Sequence, residues 1–427
     1  MKPMELVPGE PFYIPRSLCM SCGVCVPSCH LSIIQIDNGG FGYPYLVDET
    51  CDQCNVCIKV CPGESVDFER LAAPLAGPRY HPYVGYYRDV LVGHARDPVT
   101  RERASSGGII SALIAQGLRA GDFEAALMVG MQEGEPWKAR PILVTGPEAV
   151  GRGSQSKYQL VSVYDLLEKA LEYRRIAIVG LPCQIEGARK LEPLNRRLRE
   201  RLALRVGLFC GYATELEGTL FLFRKLKVKP EEVAAVEYRG RGFPGGLVVR
   251  LKDGRTKFLS KADYSLLNVP FIPDRCLPCI DHTSELADLS VGDAWFKRDG
   301  QGWSAIIVRT EAGQRALDRL VLSGGARVEP CRLEELLATQ QFFLDLKKVG
   351  APMRIARMAG PKPKYRIGPP VQVGWRTRLV HWLLSLVLLH RRAFIPVLER
   401  LPLSLLTFTS RVTRRLVHRT DLSAARR

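Results

Sequence analysis

Beyond residue 85 the chain alternates short apolar runs with amphipathic segments. The runs AALMVG (125–130), IAIVG (176–180) and ALRVGLFC (203–210) predict buried strands. Helical periodicity predicts helices over 106–121, 163–175 and 184–200. This order predicts an α/β (α+β) core with a parallel or mixed sheet, in which ligands gather outside the carboxyl ends of the strands.

The first seventy residues follow a different pattern, in which cysteines set the spacing. They contain two four-cysteine runs, each with the spacing Cys-x2-Cys-x2-Cys-x3-Cys: Cys19, Cys22, Cys25, Cys29, and Cys51, Cys54, Cys57, Cys61. Two residues between thiolates let one tight loop offer three ligands to a cubane, and the fourth cysteine starts a helix towards the other cluster. The residues between the runs predict a short hairpin.

This repeat resembles a bacterial-type ferredoxin with two [4Fe-4S] clusters. The resemblance implies that one cluster takes Cys19, Cys22, Cys25 and Cys61, and that the other takes Cys51, Cys54, Cys57 and Cys29. A pair of zinc knuckles is the alternative, but zinc sites use pairs of ligands, and two complete runs fit that pattern poorly. The first run ends in His30 where the usual motif has proline, which removes no ligand.

Composition divides the chain into four parts. We predict a ferredoxin-like Fe-S domain over 1–70, a proline-rich linker over 71–84, a core over 85–350 and a helical, basic tail over 351–427. The N-terminus lacks the features of a secretory signal, so we expect a cytoplasmic protein whose thirteen cysteines are reduced.

Four cysteines of the core stand near predicted strand ends. Cys183 follows the strand 176–180, Cys210 ends the strand 203–210, and Cys276-x2-Cys279 precedes the short strand DLSVGD (288–293). Together they offer four soft ligands, enough for a third cubane. The alternatives are buried packing for Cys183, a nucleophile, and half a zinc site or a redox dithiol for Cys276 and Cys279. Cys331 has no partner motif, and we interpret it as structural.

Four stretches of the core resemble one family, the beta subunits of coenzyme F-420 hydrogenases and dehydrogenases, which includes the chlorophyllide vinyl and hydroxymethyl chlorophyll reductases. They are SSGGIISALI (105–114), SKYQ (156–159), GLPCQIEGARKL (180–191) with GLFCG (207–211), and CLPCIDHTSELADLSVGDAW (276–295). The resemblance covers residues 83–345. It implies that Cys183, Cys210, Cys276 and Cys279 hold a core [4Fe-4S] cluster.

The same resemblance implies a bound FAD. Its contacts would be Ser105, Ser106, Gly107 and Gly108, then Ser156, Lys157 and Tyr158, with Gly292, Asp293 and Trp295 nearby. Independently, the serines and glycines before the helix 109–118 suit a phosphate or flavin edge, or an ordinary helix cap. Lys157 could balance flavin charge or lie in solvent, and Arg239 and Arg241 suit an anionic substrate tail.

The resemblance predicts an oxidoreductase in which a hydride is transferred between coenzyme F-420 and FAD. The clusters would transfer single electrons between FAD and a partner redox complex, in either direction. One alternative is a ferredoxin-fed reductase of an organic substrate, like the chlorophyll-reducing branch. Another is a non-catalytic relay subunit.

The tail adds a further expectation, because residues 374–427 contain eleven Arg and two acidic residues among long aliphatic stretches. Its longest uncharged run, Leu379 to Leu389, is too short to cross a membrane. We therefore expect contact with an anionic membrane face or a membrane-bound partner, the alternative being a helical hairpin packed on the protein or a dimer mate. Despite a net charge of +17, the mixture of Arg and aliphatic residues argues against nucleic-acid binding.

Overall fold

The computed structural model describes residues 14–36, 42–73, 77–297 and 300–412. Part of the predicted linker and hairpin turn, and the last fifteen residues of the predicted tail, lie outside these ranges. The N-terminal part is a small cysteine-rich module. Its elements are β1 (Ile34–Ile36), β2 (Pro44–Leu46), α1 (Val56–Val60), β3 (Ser65–Asp67) and α2 (Phe68–Ala72).

The predicted hairpin is confirmed, because β1 and β2 pair antiparallel. The helix expected to start at the fourth cysteine is wrong for both runs. Cys29 of the first run is followed by turns and then by β1, and Cys61 of the second run ends a helix instead of starting one. There α1 precedes Cys61, which caps its C-terminal end, and the next helix begins only at Phe68.

The core follows in chain order. Its elements are β4 (Arg79–His81), β5 (Gly85–Tyr87), β6 (Asp89–Ala95), α3 (Pro98–Glu102), α4 (Ile109–Ala120), β7 (Ala125–Met131), β8 (Ala139–Val144), α5 (Leu167–Ala170), β9 (Ile176–Gly180), α6 (Pro182–Leu191), α7 (Arg196–Arg201), β10 (Leu202–Leu208), α8 (Leu216–Leu226), β11 (Val233–Gly240), β12 (Gly246–Leu251), β13 (Thr256–Ser260), α9 (Lys261–Tyr264), β14 (Leu289–Asp293), β15 (Ser304–Val308), α10 (Glu311–Leu322), β16 (Ala326–Pro330) and α11 (Leu333–Asp345).

An eight-stranded mixed sheet organises this core, in the order β16-β6-β15-β14-β10-β9-β7-β8. Its central strands β14, β10, β9 and β7 are parallel, and antiparallel strands flank them. The predicted α/β class with a mixed sheet is therefore confirmed. Alternate residues of β9 face opposite layers: Ile176 and Ile178 pack with the N-terminal module, and Ala177 and Val179 pack with α4 and α10.

Two predicted helices are shorter than expected. Residues 163–175 form a 3₁₀ turn (Val163–Leu166) and the single turn of α5. The segment 184–200 breaks into α6 and α7, because Pro193 has no backbone N–H to donate and Asn195 instead caps α7 through the amide of Leu198 at 2.9 Å. A separate antiparallel sheet, β11-β12-β13, was not predicted.

The C-terminal part packs on both other parts. A π-helical turn (Leu346–Gly350) continues α11 into α12 (Ala351–Arg357), and then follow β17 (Lys364–Arg366), α13 (Trp375–Leu389), α14 (Ile395–Arg400) and helical residues 403–412. Strand β17 pairs in parallel with β3, which joins this segment to the cysteine-rich module. Among the described residues, only α13 and α14 taken together, across a 64° bend, have the length and apolarity of a membrane span.

Candidate functional site

The eight N-terminal cysteines separate into an inner and an outer quartet. The inner quartet (Cys19, Cys22, Cys25 and Cys61) is buried, with each residue less than 9% exposed. Burial raises the pKa of the Cys19 thiol to about 12, and the nearby Cys61 adds to the shift. Burial is also the main cause of the raised pKa of Cys22 and Cys25, and Cys61 adds to both shifts. The fold therefore brings together the four cysteines that the spacing assigns to one cluster.

The outer quartet (Cys29, Cys51, Cys54 and Cys57) lies nearer solvent, and Cys54 is exposed. Cys29, Cys51 and Cys57 pack around one small apolar cluster. Burial raises the pKa of Cys57 to about 12, with Cys54 and Cys29 adding to it. His30, which replaces the usual proline, bonds to Asp52 at 3.1 Å and lies 3.9 Å from the Cys54 sulfur.

The core quartet (Cys183, Cys210, Cys276 and Cys279) forms at the carboxyl edge of the parallel strands. Cys183 follows β9 at the start of α6, and Cys210 follows β10. Burial raises the pKa of Cys183, and Cys22, Cys210 and Cys279 contribute further. Burial also raises the pKa of Cys210 to about 12, with Cys276 and Cys279 adding to it. The structure thus brings these four residues together, and Cys22 links them to the inner quartet.

Buried cations surround the core quartet. They are Arg275, Lys347 and Arg354, each at most 2% exposed. Burial opposes the charge of Lys347, but Cys279, Cys210 and Cys276 outweigh it and raise its pKa. Nε and Nη1 of Arg275 and Nη1 of Arg354 find no hydrogen-bond partner among the described residues. Buried cations with unsatisfied N–H donors beside four cysteines suit an anionic iron–sulfur cluster, so these residues could hold one.

A cavity of about 330 Å³ opens beside this quartet, and Cys210 lies in its wall. Nine of the ten residues predicted to contact FAD line it: Ser105, Ser106, Gly108, Ser156, Lys157, Tyr158, Gly292, Asp293 and Trp295. The tenth, Gly107, is not among the lining residues. Its amide donates to Ser304 Oγ at 3.0 Å, and a side chain there would lie 2.5 Å from the Gly93 carbonyl oxygen.

Arg239 ties the three predicted flavin motifs together. Its guanidinium donates to the Ser105 carbonyl oxygen at 2.5 Å and pairs with Asp293 at 3.1 Å. Burial opposes the charge of Arg239, but Asp293 and Tyr158 outweigh it and raise its pKa. Arg239 lines the cavity, which its predicted contact with an anionic substrate tail requires. Arg241 is not among the lining residues, and its guanidinium lies 4.8 Å from the centre of the Phe258 ring.

Two titratable side chains of the cavity have shifted pKa values. Burial lowers the pKa of Lys157 to about 7. Burial also opposes ionisation of Tyr158, but Lys261 and Arg239 outweigh it and lower that pKa to about 8. Lys261 and Arg239 are cationic groups in the cavity wall that could stabilise a phosphate or an electron-rich ring edge.

The walls also fit a planar aromatic group. They include Phe209, Tyr212, Phe343 and Trp295. A side chain on Gly292 would overlap the Phe209 ring at 2.2 Å, so glycine at this position lets the Phe209 ring pack against β14. Two polar atoms of cavity residues, Asn268 Oδ1 and His282 Nδ1, have no hydrogen-bond partner among the described residues. Together these features could hold FAD.

Family models match three parts of the chain. Residues 90–168 match the N-terminal model of the coenzyme F-420 hydrogenase/dehydrogenase beta subunit, and residues 173–333 match its C-terminal model. The chain belongs to this family. Residues 16–38 and 48–73 match a 4Fe-4S binding domain, so this family member is an iron–sulfur oxidoreductase with an N-terminal 4Fe-4S module. The resemblance drawn from the sequence is confirmed.

Curated relatives of this family member are identical to it at about a quarter of the aligned residues. The chain is 25% identical to one of the subunits of the F(420)H(2) dehydrogenase of Methanosarcina mazei, covering 71% of this chain and 83% of that protein. It is 26% identical to a coenzyme F-420-dependent sulfite reductase of Methanocaldococcus jannaschii, covering 78% of this chain but 51% of that protein. The rice chloroplastic 7-hydroxymethyl chlorophyll a reductase is 27% identical, covering 49% of this chain and 44% of that protein.

A solved structure shares the fold. It is a chain of the F-420-reducing [NiFe] hydrogenase complex from Methanosarcina barkeri, with a TM-score of 0.55 and 20% identity. The alignment covers 67% of this chain and 98% of that chain.

Sequence reasoning missed several cavity residues of this family member. Lys261 and Tyr264 come from α9, and Gln340 and Phe343 from α11. The Gln340 amide donates to the Asp293 carbonyl oxygen at 2.8 Å. Neither helix carries a recognisable motif, so no local signal could have found these four. Cys331, predicted to be structural, belongs to none of the three quartets, and its thiol contacts Arg332 and Glu335 on its own segment.

Proposed function

We propose that this chain oxidises reduced coenzyme F-420 at a bound FAD and passes the electrons singly through three [4Fe-4S] clusters to a partner redox complex, or runs in reverse. Membership of the family of beta subunits supports this proposal, as do relatives whose names specify coenzyme F-420. The chlorophyll-related relative in rice keeps a second candidate open, a ferredoxin-fed reductase of an organic substrate.

One observation carries the proposal: Cys210 belongs to the core quartet and also lines the cavity. A bound flavin would supply the exchange between a hydride and single electrons, which an iron–sulfur cluster cannot perform alone. The chain's residues would hold such a group in the cavity that Cys210 lines. Arg239 orients the Ser105 and Asp293 walls, and Phe209 and Phe343 close the cavity around a planar group.

The three quartets follow one another from the cavity to the surface. Cys22 of the inner quartet is close enough to Cys183 of the core quartet to raise its pKa. Cys57 of the outer quartet likewise raises the pKa of Cys25 in the inner quartet. Cys54 of the outer quartet is exposed, so a partner could approach electrons there. We assign the outer quartet as the exchange point with the partner complex.

The test is anaerobic mixing of the reconstituted, FAD-loaded chain with reduced coenzyme F-420, NADH, NADPH or reduced ferredoxin, while flavin absorbance is followed. We expect reduced coenzyme F-420 to bleach the flavin and then the clusters. Bleaching by reduced ferredoxin alone would favour the organic-substrate reductase. Retained FAD that no hydride donor reduces would favour a relay subunit.

A matched pair of variants tests the cavity itself. Arg239→Gln removes a buried cation that joins two walls of the cavity, whereas Arg241→Gln changes an arginine that does not line it. We expect FAD affinity to fall by about tenfold or more in the first, since a charged hydrogen bond contributes about 1.5–3 kcal/mol. The second should bind FAD like the unmodified chain. Equal binding by both would contradict the assigned cavity.

A further inference from the structure

The C-terminal helices carry their apolar side chains on the outside. Of the twenty large hydrophobic side chains exposed in the described chain, eleven lie between residues 375 and 412. They are Trp375, Leu379, Val380, Trp382, Leu383, Val387, Phe394, Val397, Leu405, Phe408 and Val412. We call this set the outer apolar face. A concentration of exposed apolar side chains of this kind is typical of an interaction site.

The inward side of α13 and of the turn that follows it carries buried polar residues, the reverse of an ordinary surface helix. His381 is 4% exposed and Ser385 is fully buried, with its hydroxyl donating to the His381 carbonyl oxygen at 2.6 Å. Arg391 is 2% exposed, and its Nε donates to the Ile272 carbonyl oxygen at 2.8 Å. These buried polar contacts fix the orientation of the helices, so the outer apolar face is held outwards by the fold.

Unpaired arginines lie on the same segment. Arg376, Arg378 and Arg400 are exposed, and no carboxylate of the described chain lies within salt-bridge distance of them. Arg357 lies over the Trp382 ring, 5.6 Å from its centre. A second copy of the chain would bring the same positive charges to this face. Repulsion therefore disfavours self-association and favours an anionic occupant.

The bend between α13 and α14 suits a segment that lies along a surface. The two axes differ by 64°, and neither helix alone has the length of a span. Tryptophan beside arginine on an apolar face is the composition of helices that lie in the headgroup region of a bilayer. We propose that the outer apolar face docks this protein on the surface of a membrane rich in anionic lipid.

Flotation of the cluster-loaded, full-length protein with vesicles tests this proposal. Vesicles of phosphatidylcholine alone are compared with vesicles containing one-third phosphatidylglycerol. We expect binding to the anionic vesicles, weakened by added salt, and at least tenfold weaker binding to the neutral ones. Iron content, measured on the same samples, shows that the protein is intact.

Two variants separate the apolar and the charged contributions. Leu379→Gln with Leu383→Gln should weaken binding by at least tenfold. The two leucines gain free energy when they are buried at the boundary of headgroups and acyl chains, and glutamine does not. Arg376→Gln with Arg378→Gln should weaken binding to anionic vesicles by about thirtyfold. Leu322→Gln is the control, since Leu322 is 85% exposed on α10, outside this face, and its binding should not change.

Two results would overturn the proposal. One is a wild-type protein that floats with neither kind of vesicle, which would assign the outer apolar face to a protein partner. The other is unchanged vesicle binding in the leucine variant, which would mean that some other surface carries the attachment.

Discussion

Arg275 Nη2 donates a hydrogen bond of 3.0 Å to the carbonyl oxygen of Pro62. Pro62 directly follows Cys61 of the inner quartet, and Arg275 directly precedes Cys276 of the core quartet. One buried cation therefore joins the segments that carry both sets of thiols. Burial raises the pKa of Cys19 and Cys61, and the charge of Arg275 partly opposes this by lowering both pKa values.

Loss of this charge should lower the reduction potentials of the inner and core clusters. A positive charge stabilises the reduced, more anionic cluster, so Arg275→Met should shift both potentials downwards by on the order of 100 mV, taking one charge about 7 Å away at an effective dielectric constant of about 20. Redox titration followed by electron paramagnetic resonance measures the shift. Arg275→Lys keeps the charge and should shift the potentials far less. Equal shifts in both variants would assign the effect to packing.

Cys183 tests whether the core quartet holds a cluster. On the proposed assignment the loaded protein contains about twelve irons, at four per cluster, and Cys183→Ser should retain about eight. Cys331→Ser, a change outside the three quartets, should keep all twelve. Iron and acid-labile sulfide analysis decides the matter. A count that does not change in Cys183→Ser would return this residue to a packing role.

Lys157 should make flavin binding depend on pH. Because burial lowers its pKa to about 7, it is mostly charged below pH 7 and mostly neutral above it in the flavin-free protein. A negative group of FAD binds the charged form better and raises the pKa in the complex. The dissociation constant should therefore rise above pH 7, by at most about tenfold per pH unit, until the pKa of the complex is reached. Fluorescence titration between pH 6 and 9 measures it.

Lys157→Met supplies the control for that pH dependence. Without the titrating amine, FAD affinity should be lower at pH 6 and nearly constant up to about pH 7, because Tyr158, the other titrating cavity residue, has a pKa of about 8. The same slope in the variant and the unmodified protein would show that another group titrates.

Tyr365 should matter for the attachment of the cysteine-rich module. It lies in β17, which pairs with β3, and its hydroxyl accepts a hydrogen bond from Arg275 at 2.6 Å. Tyr365→Phe deletes a hydrogen bond to a charged group and should destabilise this junction by about 1.5–3 kcal/mol. Faster hydrogen exchange of the β3 amides would report it. Tyr45→Phe changes a tyrosine whose hydroxyl bonds to Gln35 at 3.2 Å within the β1–β2 hairpin, and it should leave that exchange unaltered.

The central strands and α4 could be predicted because their signals are local. Each strand is a short apolar run, and α4 has a regular apolar stripe with glycine at both ends. The inner and outer quartets could be predicted for the same reason, since their spacing alone defines the grouping. The core quartet was reached by combining strand ends with the family resemblance.

The rest depends on contacts between distant segments. Nothing near Lys347 in the sequence indicates that three cysteines from two other segments surround it. Arg239 lies more than fifty residues from Asp293 and more than a hundred from Ser105, so its joining role exists only in the folded chain. The tail composition indicated an amphipathic segment. The burial of His381 and Ser385, which turns the apolar side outwards, required the structure.

The central claim is that electrons pass between the cavity and the N-terminal clusters through the core quartet. Rapid-freeze electron paramagnetic resonance after mixing FAD-loaded protein with reduced coenzyme F-420 tests it most directly, with Cys183→Ser beside the unmodified chain. The account predicts that the flavin is reduced in both, and that reduction of the N-terminal clusters is at least a hundredfold slower in the variant. Equal rates of N-terminal cluster reduction in the two proteins would contradict it.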